Sequence, residues 1–464
     1  MASLRHPLVQ VAFAFALTAP WVGTYLSGTH LGTGPTVLVS GLAVLGASFL
    51  LAWGAETAEK DVPRAFAIAV LAVLAVAPEY AVDALYAWNA GAGGATTEAC
   101  AQLGGRAMES APDGSLAAAC HDANLAVANM TGANRILIGL GWAGIASYTV
   151  WKAKTTKDPA VEKRDGWMAN VVTIDRDIST EIAFLMLATL IAFFVPLAGG
   201  IGLVDTLLLV GLYVVYISII IRGDVEDVEE HVGVPAYFQR KARPKRVAVV
   251  LALFGYSGLM IFTAVEPFAH GLEDIGLAFG VPEFFMIQWI APLASESPEL
   301  IVVAVLVNKA RSTAGFNALI SSKLNQWTLL IGTIAVVYSL GLGNLSTLPF
   351  DEKQAAEIWI TAAQSLFAIA ILINYEISMR EALGLFSLFI SQVVIEFMVL
   401  RVLSIRNPEA LSIDLLYVFT GIYLLIAAAL FYRRRHALRE VFTRAGNAAR
   451  TAVGRETVEI HGAD

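Results

Sequence analysis

The stretch ASESPELIVV, from Ala294 to Val303, places two glutamates and a proline inside an apolar run that extends from about Phe284 to Val307. A charged side chain at the centre of a bilayer costs roughly 2.5 to 3.5 kcal/mol on insertion scales. Glu296 and Glu299 therefore indicate a function that offsets this cost.

The composition of the whole chain is that of a polytopic membrane protein. Of the 464 residues, 57% are hydrophobic and 15% are charged, and the mean hydropathy is +0.66. A chain with this composition is too apolar to be a soluble domain. A spanning helix needs about 20 mostly apolar residues, and the sequence predicts an all-α fold with about twelve transmembrane helices. The predicted spans are Pro7–Ser27, Gly34–Glu56, Val62–Asn89, Ala123–Trp151, Ser179–Leu197, Gly202–Ile221, Val247–His270, Pro282–Asn308, Ser312–Gly341, Ala355–Asn374, Glu381–Leu403 and Ser412–Tyr432.

The basic residues predict the orientation, because short cytoplasmic loops carry an excess of Lys and Arg. They concentrate in residues 152–176, 222–246 and 309–311 and in the tail from Arg433, which all fall on one side of a twelve-helix arrangement. We therefore expect an integral protein of the plasma (cell) membrane with both termini in the cytoplasm. The net charge of −8 lies in loops and tails, and no nucleic-acid surface is visible.

The opposite side of the membrane then receives residues 90–122, a Gly- and Ala-rich insert with the chain's two cysteines, Cys100 and Cys120. Two thiols in one external loop favour a disulfide over free thiols, given an oxidising exterior. The N-terminal apolar run is followed at once by further spans and lacks a clear small-residue cleavage site. We interpret it as a helix and not as a signal peptide.

The two halves of the chain share a pattern. APEYAVDALYAW, which contains Glu79, resembles SPELIVVAVLVN, which contains Glu299, at an offset of 220 residues. Downstream, Asn134 corresponds to Asn325, and each is followed by a glycine seven residues later. The offset there is 191, and the difference of 29 is about the length of the insert. Four further acids pair at an offset of 176 and are expected to stabilise helix N-termini, namely Glu181 with Glu357 and Asp205 with Glu381.

This symmetry predicts two repeats of five helices each, Gly34–Ile221 and Val247–Leu403. An odd number of helices makes the copies enter the membrane from opposite sides, the inverted topology that secondary transporters use for alternating access. Pro78 and Pro298 are expected to interrupt the two Pro-Glu helices. The predicted domains are an extra N-terminal helix (1–33), the first repeat (34–222, with the outer insert at 90–122), a cytoplasmic linker (223–246), the second repeat (247–404), and an extra C-terminal helix with a cytoplasmic tail (405–464).

The Pro-Glu motifs, ANMTGAN (Ala128–Asn134) and GVPEFFMIQWIAPLASESPE (Gly280–Glu299) resemble the two alpha repeats of the calcium/cation antiporter superfamily. That superfamily includes sodium/calcium exchangers and cation/proton exchangers. The resemblance covers the ten central helices. It implies that the exchanged ions bind to the motif glutamates and to polar residues on the helix that follows each motif.

Carried over to this chain, the resemblance points first to Glu79, Glu299, Asn134 and Asn325. Neighbouring polar residues complete the predicted ion- and proton-binding set, which comprises Glu79, Glu299, Asn134, Asn325, Asp83, Glu296, Ser295, Ser297 and Thr328. Some of the family's pattern is absent. The first copy has no hydroxyl residue before Pro-Glu, and Leu137 and Thr328 stand where the family often has Asn or Asp.

Two cations also flank the asparagines, Arg135 and Lys323, at positions where the family has uncharged residues. Calcium prefers six to eight oxygen ligands, several of them carboxylates, so nearby cations oppose a dedicated sodium/calcium exchanger. Arg135 and Lys323 are possible internal counter-charges for Asp83 or Glu296, or else they snorkel towards an interface. Asp83 and Glu296 are accordingly either direct participants or members of structural ion pairs. The asparagines are either ligands or interhelical hydrogen-bonding residues.

An enzyme is not indicated. There is no Gly-rich phosphate loop, and none of the seven histidines lies deep within a predicted span. His121 and the two cysteines are fewer than the four ligands of a structural zinc site. The sequence therefore predicts a cation antiporter without a cofactor, in which protons compete with a transported Na⁺ or Ca²⁺ for titratable glutamates. The alternatives are sodium/calcium exchange and, from a different class, a passive cation channel.

Overall fold

The structure is a computed structural model that describes residues 6–58, 60–61, 77–103, 111–112, 114–222, 233–281, 283–403 and 406–454. Nearly all of its regular elements are helices, so the all-α fold class is confirmed. The α-helices are Pro7–Ser27, Thr33–Ala58, Ala77–Ala92, Thr97–Cys100, Leu116–Ile136, Ala143–Thr156, Ser179–Ala192, Leu203–Arg222, Val234–Gln239, Arg243–Ala278, Glu283–Phe285, Ala291–Asn308, Ser312–Asn325, Ile331–Leu342, Glu352–Leu372, Met379–Phe397, Pro408–Arg433 and Arg435–Ala452. Four π-helical segments, Leu137–Trp142, Met286–Ile290, Gln326–Leu330 and Met398–Val402, and two 3₁₀ turns, Arg176–Ile178 and Val195–Ala198, complete the helical elements.

Nine helical stretches within the described residues are long and apolar enough to cross a membrane. They correspond to nine of the twelve predicted spans, and they confirm a polytopic membrane protein. Of the other three predictions, Val62–Asn89 lies partly outside the described residues. Ala123–Trp151 falls within residues 116–156, which are helical throughout, and Pro282–Asn308 is helical from Glu283 onwards. The exact number of twelve spans stays a prediction.

Four helices recur below and are named here. The first motif helix is Ala77–Ala92, and the second motif helix is Ala291–Asn308. The first asparagine helix comprises residues 116–156 and changes from α to π geometry at Leu137. The second asparagine helix is Ser312–Leu342, and it changes from α to π geometry at Gln326.

Pro298 does not interrupt the second motif helix, so this part of the prediction was wrong. The chain is helical from Ala291 to Asn308, and the irregular turn lies earlier, in the π segment Met286–Ile290. Pro78 lies at the edge of the described residues, so the predicted interruption of the first motif helix stays a prediction. The residues that precede Ala77, back to 62, lie outside the described part of the chain.

Within the described residues, five very short strands connect loops to one another. Strands β1 (Val161–Glu162), β2 (Val171–Thr173) and β5 (Glu376–Ser378) form an antiparallel sheet in the order β1-β2-β5. Strand β3 (Gly200–Ile201) pairs with β4 (Leu348–Pro349). A side chain at Gly200 would come within 2.6 Å of the Leu348 carbonyl oxygen, so this pairing requires glycine.

The chain divides into two compact units, each made of two segments. Unit 1 comprises Met1–Leu85 and Asp224–Pro298, and unit 2 comprises Tyr86–Gly223 and Glu299–Asp464. Two of the three divisions fall inside a motif helix, so each predicted repeat contributes segments to both units. The two units are defined by compactness in space, whereas the repeats were predicted from internal sequence symmetry. The predicted repeat boundaries therefore stay a prediction.

Unit 1 is built on the packing of helix Thr33–Ala58 against helix Arg243–Ala278. Its core includes Ala14, Leu50 and Leu253. At the loop end of these helices, Arg246 donates hydrogen bonds of 2.5 Å to both carboxylate oxygens of Asp61. The hydrogen bonds from the Arg246 guanidinium hold the pKa of the Asp61 carboxyl below its usual range. This ion pair connects the residues after helix Thr33–Ala58 to the start of helix Arg243–Ala278.

Unit 2 contains the long helices between Leu116 and Arg222 and between Ser312 and Ala452. Helix Glu352–Leu372 lies at its centre, since most of its residues are buried. The C-terminal helix Arg435–Ala452 packs against helices Ser179–Ala192 and Leu203–Arg222 through the buried residues Val441 and Ala445. Arg434, which precedes it, forms an ion pair with Glu381 and donates to the Ala370 carbonyl oxygen at 3.0 Å. The end of helix Glu352–Leu372 is thereby bound to the tail.

Candidate ion-binding site

Glu79 lies in the first motif helix, two residues after Ala77. Its side chain is 3% exposed and forms a hydrogen bond with Ser295. Ser295 comes from the second copy of the motif, so unit 1 brings residues of both copies into contact. The Ser295 hydroxyl also donates to the Pro292 carbonyl oxygen at 3.2 Å.

Two further predicted acids are buried. Asp83 is 1% exposed and lies one helical turn after Glu79, and Glu296 is 1% exposed next to Ser295. Burial of three carboxyl groups in the spans of a membrane protein is costly, and such groups are usually functional. The side chain of Ser297 lies outside the described part of the chain.

Glu299 belongs to unit 2 and is only partly buried. It accepts a hydrogen bond of 2.9 Å from the Ser322 hydroxyl, on the second asparagine helix. Asn325 and Thr328 on the same helix are buried. The Thr328 hydroxyl donates to the Leu324 carbonyl oxygen at 2.6 Å, so its proton is directed at the backbone and its oxygen lone pairs stay available to a cation.

Asn134 and Lys323 form a buried pair. The Lys323 Nζ atom lies 2.6 Å from Asn134 Oδ1 and 3.2 Å from the Asn134 carbonyl oxygen, and both residues are 0% exposed. Asn134 Nδ2 donates to the Met130 carbonyl oxygen at 2.8 Å, which orients the amide. Lys323 Nζ also lies 4.4 Å from the centre of the Trp327 indole ring, at cation–π distance. Lys323 therefore does not snorkel to an interface.

Arg135 is buried too, and its ion-pair partner here is Glu357, at 2.6 Å with both side chains fully enclosed. The prediction that Glu357 stabilises a helix N-terminus was wrong. Helix Glu352–Leu372 begins five residues earlier, where Asp351 caps it by accepting from the Gln354 N–H. The other three acids of that group do lie in the first turns of their helices, and Glu381 forms a capping box with Ser378.

A series of polar contacts connects Arg135 to side chains on two further helices. Arg135 donates to the side-chain oxygen of Gln392, and Gln392 Nε2 donates to Glu396 Oε2 at 2.7 Å. Glu396 also accepts from the Ser412 hydroxyl at 2.9 Å and forms an ion pair of 3.1 Å with Lys353. Sequence analysis missed Gln392 and Glu396. Their spacing of four residues within the apolar run FISQVVIEFMVL was the available signal, because it places them on one helix face.

The insert contains the disulfide. Cys100 and Cys120 are bonded, with their Cα atoms 5.6 Å apart. The bond joins the short helix Thr97–Cys100 to the first asparagine helix, in which Cys120 is buried. The insert is therefore covalently fixed to the helix that carries Asn134.

Long apolar helices with enclosed acids, amides and cations define a polytopic membrane protein with a polar interior. The family described as "Sodium/calcium exchanger protein" matches residues 107–222 and 249–398. A solved structure described as the H⁺/Ca²⁺ exchanger CAX is 40% identical over 95% of this chain and 97% of that one, with a TM-score of 0.78. The chain belongs to the sodium/calcium exchanger family, within the calcium/cation antiporter superfamily.

Two more distant structures share the fold. Native YfkE is 15% identical, with 83% of this chain and 99% of that chain covered and a TM-score of 0.53. The selenium-substituted structure, described as a Ca²⁺/H⁺ antiporter, is 13% identical over 84% and 98%, with a TM-score of 0.55. None of the curated proteins compared with the chain matches it.

Proposed function

We propose that this protein is a secondary antiporter that exchanges calcium for protons across the membrane. The observation that carries the proposal is the enclosed hydrogen bond between Glu79 and Ser295, which joins the two copies of the Pro-Glu motif at a titratable group. The 40% identity to a protein described as an H⁺/Ca²⁺ exchanger supports calcium and protons as the two ions.

The Glu79–Ser295 contact suits a group that exchanges a proton for a metal ion. The Ser295 hydroxyl has one proton, and two acceptors are close to it, Glu79 and the Pro292 carbonyl oxygen. When Glu79 is ionised, it can accept that proton. When Glu79 is protonated, it becomes a donor to the serine oxygen, and the hydroxyl proton turns to Pro292. Both states are hydrogen-bonded, so neither leaves a buried polar group unsatisfied.

Competition then couples the two ions. A carboxylate that binds a proton loses the charge that attracts Ca²⁺, so proton binding and cation binding oppose each other by linkage. Glu79 and Glu299 are the proposed centre. Oxygen atoms of Asn325, Thr328 and the motif serines are proposed to supply further ligands, since calcium takes six to eight oxygens. No cofactor is needed for this exchange.

The proposed arrangement in the cell is a plasma-membrane protein with cytoplasmic termini and inverted repeats that give alternating access. The Cys100–Cys120 disulfide supports an oxidising exterior for the insert. To test the orientation, Lys163→Cys and Arg450→Cys variants are treated in intact cells with a thiol reagent that cannot cross the membrane. Both should stay unlabelled until the cells are opened, and labelling of either from outside would reverse the orientation.

The function is tested in proteoliposomes that contain a trapped pH indicator. With an acidic interior, external Ca²⁺ should enter while protons leave, and the rise in internal pH should require both the protein and calcium. Calcium uptake driven by a sodium gradient without a pH gradient would instead identify sodium/calcium exchange. Calcium flux that ignores every counter-ion gradient would identify a passive channel. Either result would overturn the proposal.

A further inference from the structure

We propose that the ammonium group of Lys323 acts as a built-in cation that occupies one cation position of the site, so that the protein binds calcium but excludes sodium from the same centre. This inference rests on the proposed function and deepens it, because it names the residue that selects the substrate. It is carried by the contact between Lys323 and Asn134.

The position of the ammonium group is fixed from three directions. Lys323 Nζ contacts Asn134 Oδ1 at 2.6 Å and the Asn134 carbonyl oxygen at 3.2 Å, and it lies over the Trp327 ring. The amide cannot turn its oxygen away at low cost, because Asn134 Nδ2 is held by the Met130 carbonyl. One amide oxygen, one carbonyl oxygen and an aromatic face are groups that also bind small cations.

A metal ion on the same amide oxygen would meet this charge at close range. Ca²⁺ and its oxygen ligands are 2.3–2.6 Å apart, so an ion bound to Asn134 Oδ1 would lie about 5 Å or less from Lys323 Nζ. Two positive charges at that separation repel strongly in a poorly polarisable interior. Asn134 is therefore assigned to holding Lys323, and it is not a metal ligand in this state.

The positive charge of Lys323 has no counterpart at the equivalent position of the first half of the chain. At the offset of 191 residues that relates the two asparagine helices, the position equivalent to Lys323 is Gly132. Arg135, the other nearby cation, forms its buried ion pair with Glu357 at 2.6 Å. Lys323 thus contacts the amide and carbonyl oxygens of Asn134, whereas Arg135 pairs with the Glu357 carboxylate.

Replacement of Lys323 should open the occupied position. Lys323→Met keeps the length of the side chain and removes the charge, and Asn134 Oδ1 then becomes available to a small monovalent cation. Lys323→Arg retains a positive charge and should behave like the wild type. Lys353→Met is the matched control, because Lys353 is also a lysine of unit 2, but its side chain is 19% exposed and pairs with Glu396 at 3.1 Å.

The experiment measures binding directly on purified full-length protein in detergent, with radiolabelled calcium and sodium in equilibrium dialysis. In the wild type, Lys323→Arg and Lys353→Met, sodium at about 100 mM should change the apparent calcium affinity less than about twofold. In Lys323→Met the same sodium should weaken it by about tenfold or more, with bound sodium detected. Lys323→Gln, which keeps a donor for Asn134 without a charge, carries the same expectation and serves if the Met variant does not fold.

Unchanged sodium competition in both folded neutral variants would overturn the inference, and so would sodium competition of equal strength in the wild type. The result is independent of the flux assay. If the proposed exchange fails, calcium-dependent proton movement is missing from wild-type proteoliposomes, whereas failure of the lysine proposal leaves that movement intact and shows only in the sodium binding of the variants.

Discussion

The two asparagine helices have similar backbone geometry but carry different buried charges. Each follows a motif helix in the chain, and each changes to π geometry just after its asparagine, at Leu137 in one and Gln326 in the other. Yet the first carries Arg135, which pairs with Glu357, and the second carries Lys323, which contacts Asn134. Similar backbone geometry therefore does not imply similar chemistry. The two helices have the same sequence of α and π geometry, but their buried cations have different partners.

The packing around the glycines of the two asparagine helices also differs. Gly141 and Gly332 correspond in the sequence pattern. A Cβ at Gly332 would lie 2.7 Å from Val210 Cγ2, whereas one at Gly141 would meet its nearest atom at 3.3 Å. In the first helix the closest approach lies two residues earlier, where a Cβ at Gly139 would lie 2.4 Å from the Phe389 ring. Equivalent sequence positions therefore do not have equivalent neighbours.

The largest expected effect tests what the two halves have in common. Glu79→Gln and Glu299→Gln keep the side-chain shape and remove titration, so each should lower coupled calcium/proton exchange by about 100-fold or more. Initial rates in proteoliposomes check this, with elution as a single species in detergent as the folding control. Near wild-type coupled exchange in the double variant would place the site elsewhere.

The next effect concerns the enclosed Arg135–Glu357 pair, which joins a cation of the first half of the chain to a carboxylate of the second. Arg135→Met or Glu357→Met should each lower the free energy of unfolding by about 3–5 kcal/mol, because either one leaves a buried charge uncompensated. The double variant should recover most of this loss. Denaturant unfolding in detergent is the measurement.

The exposed pair of Arg164 and Glu376, at 2.8 Å, is the matched control for this cycle. Arg164→Met should cost about 1 kcal/mol or less, because exposed ion pairs contribute little. Equal costs at the buried and exposed pairs would contradict the assignment of Arg135 to a structural role.

A smaller effect is expected at the acids beside the motif glutamates. Asp83→Asn and Glu296→Gln should reduce exchange by about tenfold or less, or alter the preference among divalent cations. Rates with calcium and with strontium separate these outcomes. A loss as complete as that of Glu79→Gln would make the acid in question a member of the central pair.

The smallest effect tests the insert, which only the first half contains. Replacement of residues 91–121 by a short Gly-Ser linker should leave the exchange rate within about twofold of wild type, because the second half of the chain retains its motif glutamate and asparagine without such a segment. Mass spectrometry of the non-reduced wild-type protein should show the Cys100 and Cys120 peptides linked. Loss of exchange in a folded excision variant would show that the insert takes part in transport.

Much of the fold was accessible from the sequence, since long apolar runs and basic loops are direct consequences of a bilayer. The acids and asparagines of the site were also visible, because polar residues stand out in apolar spans. The partners of Arg135 and Lys323 were not, because Glu357 and Asn134 are distant from them in the chain and only tertiary packing brings them together. The continuous helix through Pro298 was missed because a proline in a helix interior can kink the helix without ending it.

The π segments of the two asparagine helices are not at equivalent positions. At the offset of 191 residues, Leu137 corresponds to Thr328, so the first segment begins two residues later than the second, which begins at Gln326. A π turn holds one more residue than an α turn, so each segment accommodates one extra residue within a helix that continues beyond it. A single-residue deletion within Leu137–Trp142 or within Gln326–Leu330 is therefore expected to restore α geometry locally, and it can be made in either helix without a matching change in the other.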